Sequence, residues 1–288
     1  MNYYFGTEEN VKQIEYRIDE ADDGITVKEL LLREKISNNL LKKAKMGGIS
    51  VFGEAVTVRR ILHAGDILIL KLPEKKSDGI EAMDIPLDIV YEDDYLLAVN
   101  KPRNMPTHPS KGNSLPTLAN GVMGYFKGDF VFRSVNRLDR DTSGIVLIAK
   151  DQLTANTLSQ GMRRGDFVKK YRCTVEGSPC PDHLLIDAPI RRENEDSVKR
   201  IVAPDGKRAL TEYRVIKADG NVAVCDISLY TGRTHQIRVH MAYIGHPLVG
   251  DFLYGDRESG DFDLTCVSIS FTHPITHKRT EISIEDKS

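Results

Sequence analysis

Strand patterns dominate the chain beyond residue 86 and limit the folds that are open to it. The segment "YRCTVEG" alternates so that Tyr171, Cys173 and Val175 lie on one side of a strand, and "VAVCDISLY" predicts another strand. Helical patterns are few, such as "LTANTLSQGM" and the segment from Thr234 to its stop at Gly245. Because these helices are too few to alternate regularly with strands, a repeated β-α-β fold is excluded. We predict an α+β domain around a largely antiparallel sheet.

A polar segment without periodicity divides the chain into a small part and a large part. The sequence "PEKKSDGIEAMDIP" is rich in charged and turn-forming residues and predicts a linker. At 288 residues the chain is long enough for one large and one small domain. We therefore predict a small α/β domain over residues 1–74, a linker over 75–86 and a larger domain over 87–288.

The first 74 residues carry the pattern of two short helices, a hairpin and a strand. Thr26 and Glu29 have the spacing of a capping box at the start of the first helix. This order of elements resembles the S4 RNA-binding module, which carries RNA on the face of its two helices. The resemblance implies that Lys42 and Lys43 contact phosphates, which position RNA without specifying its sequence. The alternative is a small α/β extension that makes no RNA contact.

The composition predicts a cytoplasmic protein without membrane contact. The first residues, "MNYYFGTEEN", lack the basic start and apolar stretch of a signal peptide, and the longest apolar runs are far shorter than a membrane span. The four cysteines contain no C-x-x-C pair, which is typical of free thiols in a reducing compartment.

The formal net charge of −2 argues against a protein that coats nucleic acid by bulk attraction. Local basic strips are nevertheless present, and each one taken alone is more typical of a solvated face than of a binding site. The strips comprise Arg163, Arg164, Lys169, Lys170, Arg172, Arg191, Arg192, Lys199, Arg200, Lys207 and Arg208.

The stretch "NRLDRDTSG", residues 136–144, crowds charged and small residues ahead of the apolar run "IVLIA". Aspartate and serine favour turns because their side chains hydrogen-bond nearby backbone amides, and this is the bland interpretation. In the functional interpretation, an aspartate such as Asp139 on a rigid turn beside cationic groups stays ionised when it is partly shielded from water. A nucleophile or general base requires that state.

A second candidate constellation is "TGRTHQIRVHMAYIGHPLVGDFLYG". Arg233 lies at a predicted strand-to-helix corner, where its guanidinium can meet a phosphate or carboxylate through two hydrogen bonds. Arg238 lies inside the helix, three residues after His235 and on nearly the same face. An arginine within a largely apolar helix usually has a carboxylate partner, and a purely structural ion pair is the alternative to a functional one.

Four linked blocks, "VNRLDRDTSG", "KKYRCTVEG", "TGRTHQIRVH" and "GHPLVGDFLYG", have the order and spacing of the RluA-like family of RNA pseudouridine synthases, and the similarity spans nearly all of residues 86–275. The resemblance implies a bent, largely antiparallel mixed sheet with a cleft across its middle. It implies that Asp139 is the essential carboxylate, that Tyr171 stacks on the target uracil, and that Arg238 forms an ion pair that orients Asp139.

The same resemblance suggests four substrate-binding residues around the cleft: Arg137, Arg233, Asn136 and His235. Asn136 stands where the family usually has histidine, and an asparagine can hydrogen-bond but cannot titrate near neutral pH. If the residue at this position only orients the loop, activity survives the replacement. If it positions the flipped base, turnover is lower or the target is different.

The implied reaction breaks the N1–C1′ bond of a uridine, turns the base and rejoins it to the sugar through C5. The uridine must leave the RNA stack to reach a pocket. Asp139 either attacks C1′ or removes a proton from C2′ to give a glycal, and the sequence leaves both routes open.

The implied partner is RNA, with large-subunit ribosomal RNA favoured over tRNA, and the protein is expected to act as a monomer. We expect no cofactor, because no nucleotide fingerprint is present, and no metal, because the histidine spacings do not match helical metal ligands. The alternative function is that of a catalytically weak RNA-binding protein that assists ribosome assembly.

Overall fold

The part of the chain before residue 79 forms a five-stranded antiparallel sheet. The computed structural model describes residues 3–8, 11–34, 36, 41–42, 44, 47–73, 79–110, 116–255 and 261–284. The elements of the first part are β1 (Tyr3–Glu8), β2 (Val11–Arg17), a 3-10 helix (Glu20–Asp22), α1 (Val27–Arg33), β3 (Ile49–Val51), β4 (Glu54–Ala55) and β5 (Ile67–Pro73). The strands lie in the order β1-β2-β5-β3-β4.

This first sheet has a hydrophobic core of its own. Ile14 on β2, Leu30 on α1 and Leu68 on β5 are buried in one cluster. Helix α1 begins with the predicted capping box: the Thr26 hydroxyl accepts from the Glu29 backbone N–H, and the Thr26 N–H donates to the Glu29 carboxylate. These bonds satisfy two N–H groups that would otherwise lack partners at the helix start.

The larger part of the chain is built from many strands and three helices within the described residues. Its elements are β6 (Ile89–Glu92), β7 (Leu96–Lys101), α2 (Leu118–Tyr125), β8 (Ser143–Ala149), α3 (Gln152–Arg164), β9 (Val168–Glu176), β10 (His183–Asp187), β11 (Ile190–Arg192), β12 (Arg200–Val202), β13 (Leu210–Ala218), β14 (Val222–Leu229), α4 (Gln236–Tyr243), β15 (Leu264–Thr272) and β16 (Arg279–Ser283). Among these described elements, no helix is long and apolar enough to cross a membrane.

The second sheet has nine strands in the order β10-β13-β14-β9-β15-β8-β7-β6, with β16 paired to β15. Strands β11 and β12 form a separate two-stranded ribbon. Every neighbouring pair in the nine-stranded sheet is antiparallel except β8 and β15, which run parallel. The predicted α+β fold with a largely antiparallel sheet is therefore confirmed.

The parallel contact between β8 and β15 is made possible by a glycine. Gly144 lies opposite Cys266 with a φ of +107°, and a Cβ at position 144 would lie 2.3 Å from the Cys266 carbonyl oxygen. Residues other than glycine rarely adopt such a φ. A Cβ at this position would also require the backbone of Cys266 to shift, which costs free energy. Gly144 therefore lets β15 lie against the start of β8, directly after the "NRLDRDTS" turn.

The close approach at Gly144 makes a stability prediction. We expect Gly144→Ala to lower the free energy of unfolding by about 3 kcal/mol or more, because it combines backbone strain with a steric clash. Gly165→Ala is the matched control, since Gly165 also has a positive φ, +84°, but has open space around its Cβ position. The control should lose only about 1 kcal/mol. Urea unfolding of both variants measures the difference, and equal losses would contradict the proposed clash.

Candidate active site

A cavity of about 610 Å³ opens where the turn before β8, the beginning of β9 and the start of α4 meet. Seven of the nine residues predicted from the sequence line it, namely Asn136, Arg137, Asp139, Tyr171, Arg233, His235 and Arg238. The other two lie in the first part of the chain: Lys42 is exposed, and Lys43 lies outside the described residues. The cavity therefore unites groups that are up to 102 residues apart in the sequence, the separation of positions 136 and 238.

Asp139 lies on a turn that is tied to a neighbouring loop. The Thr107 hydroxyl donates to the Leu138 carbonyl at 2.8 Å and accepts from the Leu138 backbone N–H at 3.3 Å. The Thr142 N–H donates to the Asp139 carbonyl at 3.2 Å and closes the turn. The Asp139 side chain keeps 40% of its surface exposed. A carboxylate that is accessible to solvent, on a backbone fixed by hydrogen bonds, suits a residue that must contact a substrate.

A buried lysine that was not predicted supports the same turn. The Lys101 ammonium is fully buried and donates to three backbone carbonyls, those of Pro102, Met105 and Arg140, at 2.7 to 3.2 Å. Burial lowers the pKa of Lys101 to about 8, against the opposing charges of Asp141 and Asp139. Lys101 thereby joins the loop after β7 to the turn that carries Asp139. A lysine inside the apolar strand pattern "LLAVNK" was the available sequence signal.

Tyr171 lies on β9 beside the cavity and is 5% exposed. It pairs with Cys266 across the sheet. Burial raises the pKa of Tyr171 well above its ordinary value, and the nearby Cys266 and Asp139 reinforce the shift. The phenol therefore stays protonated at neutral pH, so that it offers an aromatic ring and an O–H group rather than an anionic base.

Arg238 pairs with a different carboxylate from the one that we predicted. Its Nε donates to Asp251 Oδ2 at 2.7 Å and its Nη2 donates to Oδ1 at 2.5 Å. The predicted ion pair between Arg238 and Asp139 is therefore wrong. The reason is that Asp251 is fully buried beside the guanidinium and presents both oxygens to it, whereas Asp139 faces the accessible cavity.

The surroundings of Arg238 explain why its pairing is strong. Burial by itself would lower the pKa of Arg238, but the hydrogen bonds and charge of Asp251 hold this pKa above its ordinary value. The guanidinium also lies 5.1 to 5.3 Å from the ring centres of Phe252, Tyr254 and Phe262. Cation–π contacts of this kind stabilise a desolvated arginine. Arg238 is thus a permanent positive charge in the wall of the cavity.

Among the described residues, the basic side chain within ion-pair distance of Asp139 is that of His235 and not that of Arg238. Its Nε2 lies 3.9 Å from Asp139 Oδ2, and its Nδ1 lies 2.9 Å from the Tyr254 hydroxyl. Burial lowers the pKa of His235, which Asp139 partly opposes. The residue has a φ of +58° at the start of α4, which turns its ring toward the cavity.

Asn136 borders the cavity, but its amide is engaged by the backbone. Its Nδ2 donates to the Ile145 carbonyl at 2.9 Å, and its Oδ1 accepts from the Leu147 N–H at 2.8 Å. These two bonds attach the turn of Asp139 to β8, and the binding of substrate by Asn136 stays a prediction. An asparagine makes these two bonds without titrating.

The two predicted arginines of the rim remain accessible. Arg137 is exposed beside Asp139. Arg233 is exposed at the corner before α4, and its Nε donates to the Arg208 carbonyl at 3.0 Å. Their positions suit contacts with the phosphates of a strand that crosses the cavity mouth. Lys169, which the sequence placed in a basic strip, is instead buried in the cavity wall.

The described residues contain no group of three or more His, Cys, Asp or Glu side chains that is placed to hold a metal ion.

The ion pair between Arg238 and Asp251 makes a second stability prediction. We expect Asp251→Asn to lower the free energy of unfolding by about 3–5 kcal/mol, because it leaves a buried guanidinium without its counter-charge. Asp226→Asn is the matched control, since the pair of Asp226 with Arg172 is solvent-accessible. The control should lose about 0.5 kcal/mol. Denaturant titration of both variants gives the comparison, and a loss at Asp251 as small as that at Asp226 would contradict this account.

Comparisons with known proteins agree with this site. A family model described as RNA pseudouridylate synthase matches residues 95–243. An uncharacterized RNA pseudouridine synthase of Bacillus subtilis is 40% identical over 262 residues, which cover 88% of this chain and 93% of that protein. The ribosomal large subunit pseudouridine synthase D of Vibrio cholerae is 35% identical over 255 residues, which cover 82% and 78%.

A solved structure extends the similarity to three dimensions. The human RNA pseudouridylate synthase domain containing 1 superposes with a TM-score of 0.60 at 25% sequence identity, and the match covers 71% of this chain and 85% of that one. Residues 95–243, which the family model matches, contain the turn of Asp139, the strand of Tyr171 and the helix of Arg238. The chain therefore belongs to the RluA-like family of RNA pseudouridine synthases.

Proposed function

We propose that the cavity isomerises a uridine flipped out of large-subunit ribosomal RNA, with Asp139 as the catalytic carboxylate. One observation carries the proposal: the accessible carboxylate of Asp139 and the ring of Tyr171 face the same cavity of about 610 Å³. A volume of this size lies within the range of about 300–1,000 Å³ that is usual for small-molecule sites. It has room for one unstacked nucleotide.

The residues supply the steps that the isomerisation needs. Stacking on Tyr171 offsets part of the free energy lost when the uridine leaves the RNA stack, by about 1–3 kcal/mol for one base. Asp139 acts at the sugar, either as nucleophile at C1′ or as base at C2′, and both routes need a carboxylate oxygen next to the ribose. Exposed Arg137 and Arg233 contact the flanking phosphates.

The substrate class is supported by the relatives. Proteins of Vibrio cholerae and Zymomonas mobilis that are 35% and 33% identical to this chain are named ribosomal large subunit pseudouridine synthase D. We propose the same class of RNA for this chain, acting in the cytoplasm as a monomer. The hydrogen bonds of Asn136 also favour catalysis over a silent RNA-binding role. They orient the turn of Asp139, and this task does not need the histidine that the family usually has at this position.

The first sheet is proposed to be a separate S4-like RNA-binding domain over residues 1–74, joined by a linker over 75–86 to a catalytic domain over 87–288. Its own sheet and its own core support this division. Lys42 is exposed on a helical segment, as a phosphate contact requires.

The catalytic assignment is tested by release of tritium from an unmodified large-subunit ribosomal RNA transcript that carries the label at uridine C5. We expect release by the native chain and none by Asp139→Asn, because an amide can neither attack C1′ nor remove a proton. Asp141→Asn is the control in the same turn, because Asp141 pairs with the exposed Arg140 and does not line the cavity, and it should retain most of the release. Equal release by the native chain and Asp139→Asn would remove Asp139 from the mechanism.

The domain assignment makes a separate prediction. A chain that begins at residue 75 should bind RNA more weakly and with a flatter dependence on salt, because phosphate contacts release counterions. Its turnover with saturating RNA should be largely unchanged. Filter binding at several salt concentrations, together with tritium release, measures the two effects. Collapse of turnover at saturating RNA in a variant that still unfolds cooperatively would contradict the division.

A further inference from the structure

Lys169 is a buried cation in the wall of the catalytic cavity. It lies on β9 two residues before Tyr171, and the alternation of the strand places both side chains on the same face. Only 8% of its surface is exposed, and it lines the cavity together with Tyr171 and Asp139. Its neighbour Lys170 points to the other face, where it is exposed and lies 3.8 Å from Glu281.

The Lys169 ammonium lacks the partners that a buried charge normally has. Among the described residues, no carboxylate or carbonyl oxygen lies within hydrogen-bond distance of its Nζ. This Nζ is 3.4 Å from the position that a Cβ of Gly232 would occupy, so the ammonium lies beside the corner before α4. Burial lowers the pKa of Lys169, and the Cys266 thiol only partly opposes that shift.

Lys101 shows what a structural lysine looks like in the same protein. Lys101 is fully buried, and its ammonium donates to three backbone carbonyls. Those bonds replace the water that burial removes. Lys169 has no such partner among the described residues, and its ammonium borders the cavity, where solvent or a ligand can reach it. Largely buried ionisable groups without a protein partner are concentrated at functional sites, where a ligand completes their interactions.

We infer that Lys169 is a catalytic residue whose ammonium donates to a carbonyl oxygen of the flipped uracil and stabilises the negative charge that forms on the base. The inference rests on the proposed function of the cavity. When the N1–C1′ bond breaks, its electron pair passes to N1 and is shared with O2 and O4. A bond then forms between C5 and C1′, the C5 proton passes to water, and N1 takes up a proton. Lys169 keeps its proton throughout.

The depth of the ammonium favours the base over a phosphate as its ligand. Tyr171, on the same face of β9, provides the surface on which the base is proposed to stack. A phosphate stays with the RNA backbone at the cavity mouth, where Arg137 and Arg233 are exposed. An ammonium is also a donor without acceptor capacity. It therefore suits uracil, which offers two carbonyl oxygens, better than cytosine, which has an amino group in place of O4.

Replacement of the charge tests the inference. In Lys169→Met, a neutral side chain of similar length, we expect the single-turnover rate of tritium release to fall on the order of 100-fold, as when one donor to a developing anion is removed. The dissociation constant for the RNA transcript and its salt dependence should be unchanged. The melting temperature should not fall, because the replacement breaks no hydrogen bond between Lys169 Nζ and the described residues and removes a largely buried charge. Lys169→Gln, measured alongside, should behave in the same way.

The control is Lys170→Met, which removes a charge from the next residue on the exposed face and should retain the native rate. Weaker RNA binding with a salt slope reduced by about one and an unchanged rate would show a phosphate contact instead. Native rates in both Lys169 variants, or a loss of rate that accompanies a lower melting temperature in both, would also overturn the inference. If the native chain itself releases no tritium, the proposed function fails, and this result is distinct from a failure at Lys169 alone.

Discussion

The insertion of β15 between β8 and β9 is the constraint on which the site depends. Strand β15 runs parallel to β8 and antiparallel to β9, so one strand brings the turn that carries Asp139 beside the strand that carries Tyr171. Gly144 permits this contact because its Cβ position is occupied by the backbone of Cys266. The geometry of the cavity therefore follows from a single parallel pairing within an otherwise antiparallel sheet.

Two buried cations among the described residues, Arg238 and Lys169, line the cavity, and a third, Lys101, supports the turn of Asp139; the three differ in their partners. Arg238 has a buried carboxylate and three aromatic rings, and Lys101 has three backbone carbonyls. Both residues contribute order to the loops that they join. Lys169 has none of these partners within the described residues, and it is the cation that remains available to a substrate. The cavity is thus a positive environment, in which charge that develops on a bound base is stabilised without movement of the protein.

The sequence was sufficient for the fold class, the capping box of α1 and the residues that meet in the cavity. These features depend on local periodicity and on blocks whose order in the chain is distinctive. The partner of Arg238 could not be read in this way, because the choice between Asp139 and Asp251 depends on which carboxylate is buried next to the helix. The same limit applies to Lys169 and Lys170, which are adjacent in a basic strip but lie on opposite faces of β9. The hydrogen bonds of Asn136 could not be predicted either, because they depend on the positions of the Ile145 carbonyl and the Leu147 N–H in the folded chain.

The place of β15 in the sheet has a consequence for synthesis on the ribosome. Strands β8 and β9 leave the exit tunnel long before residues 264–272, which lie between them in the finished sheet. Until those residues emerge, the two strands present unpaired edges, which are prone to join other strands. The turn of Asp139 and the strand of Tyr171 therefore reach their final relative positions only after β15 has been made.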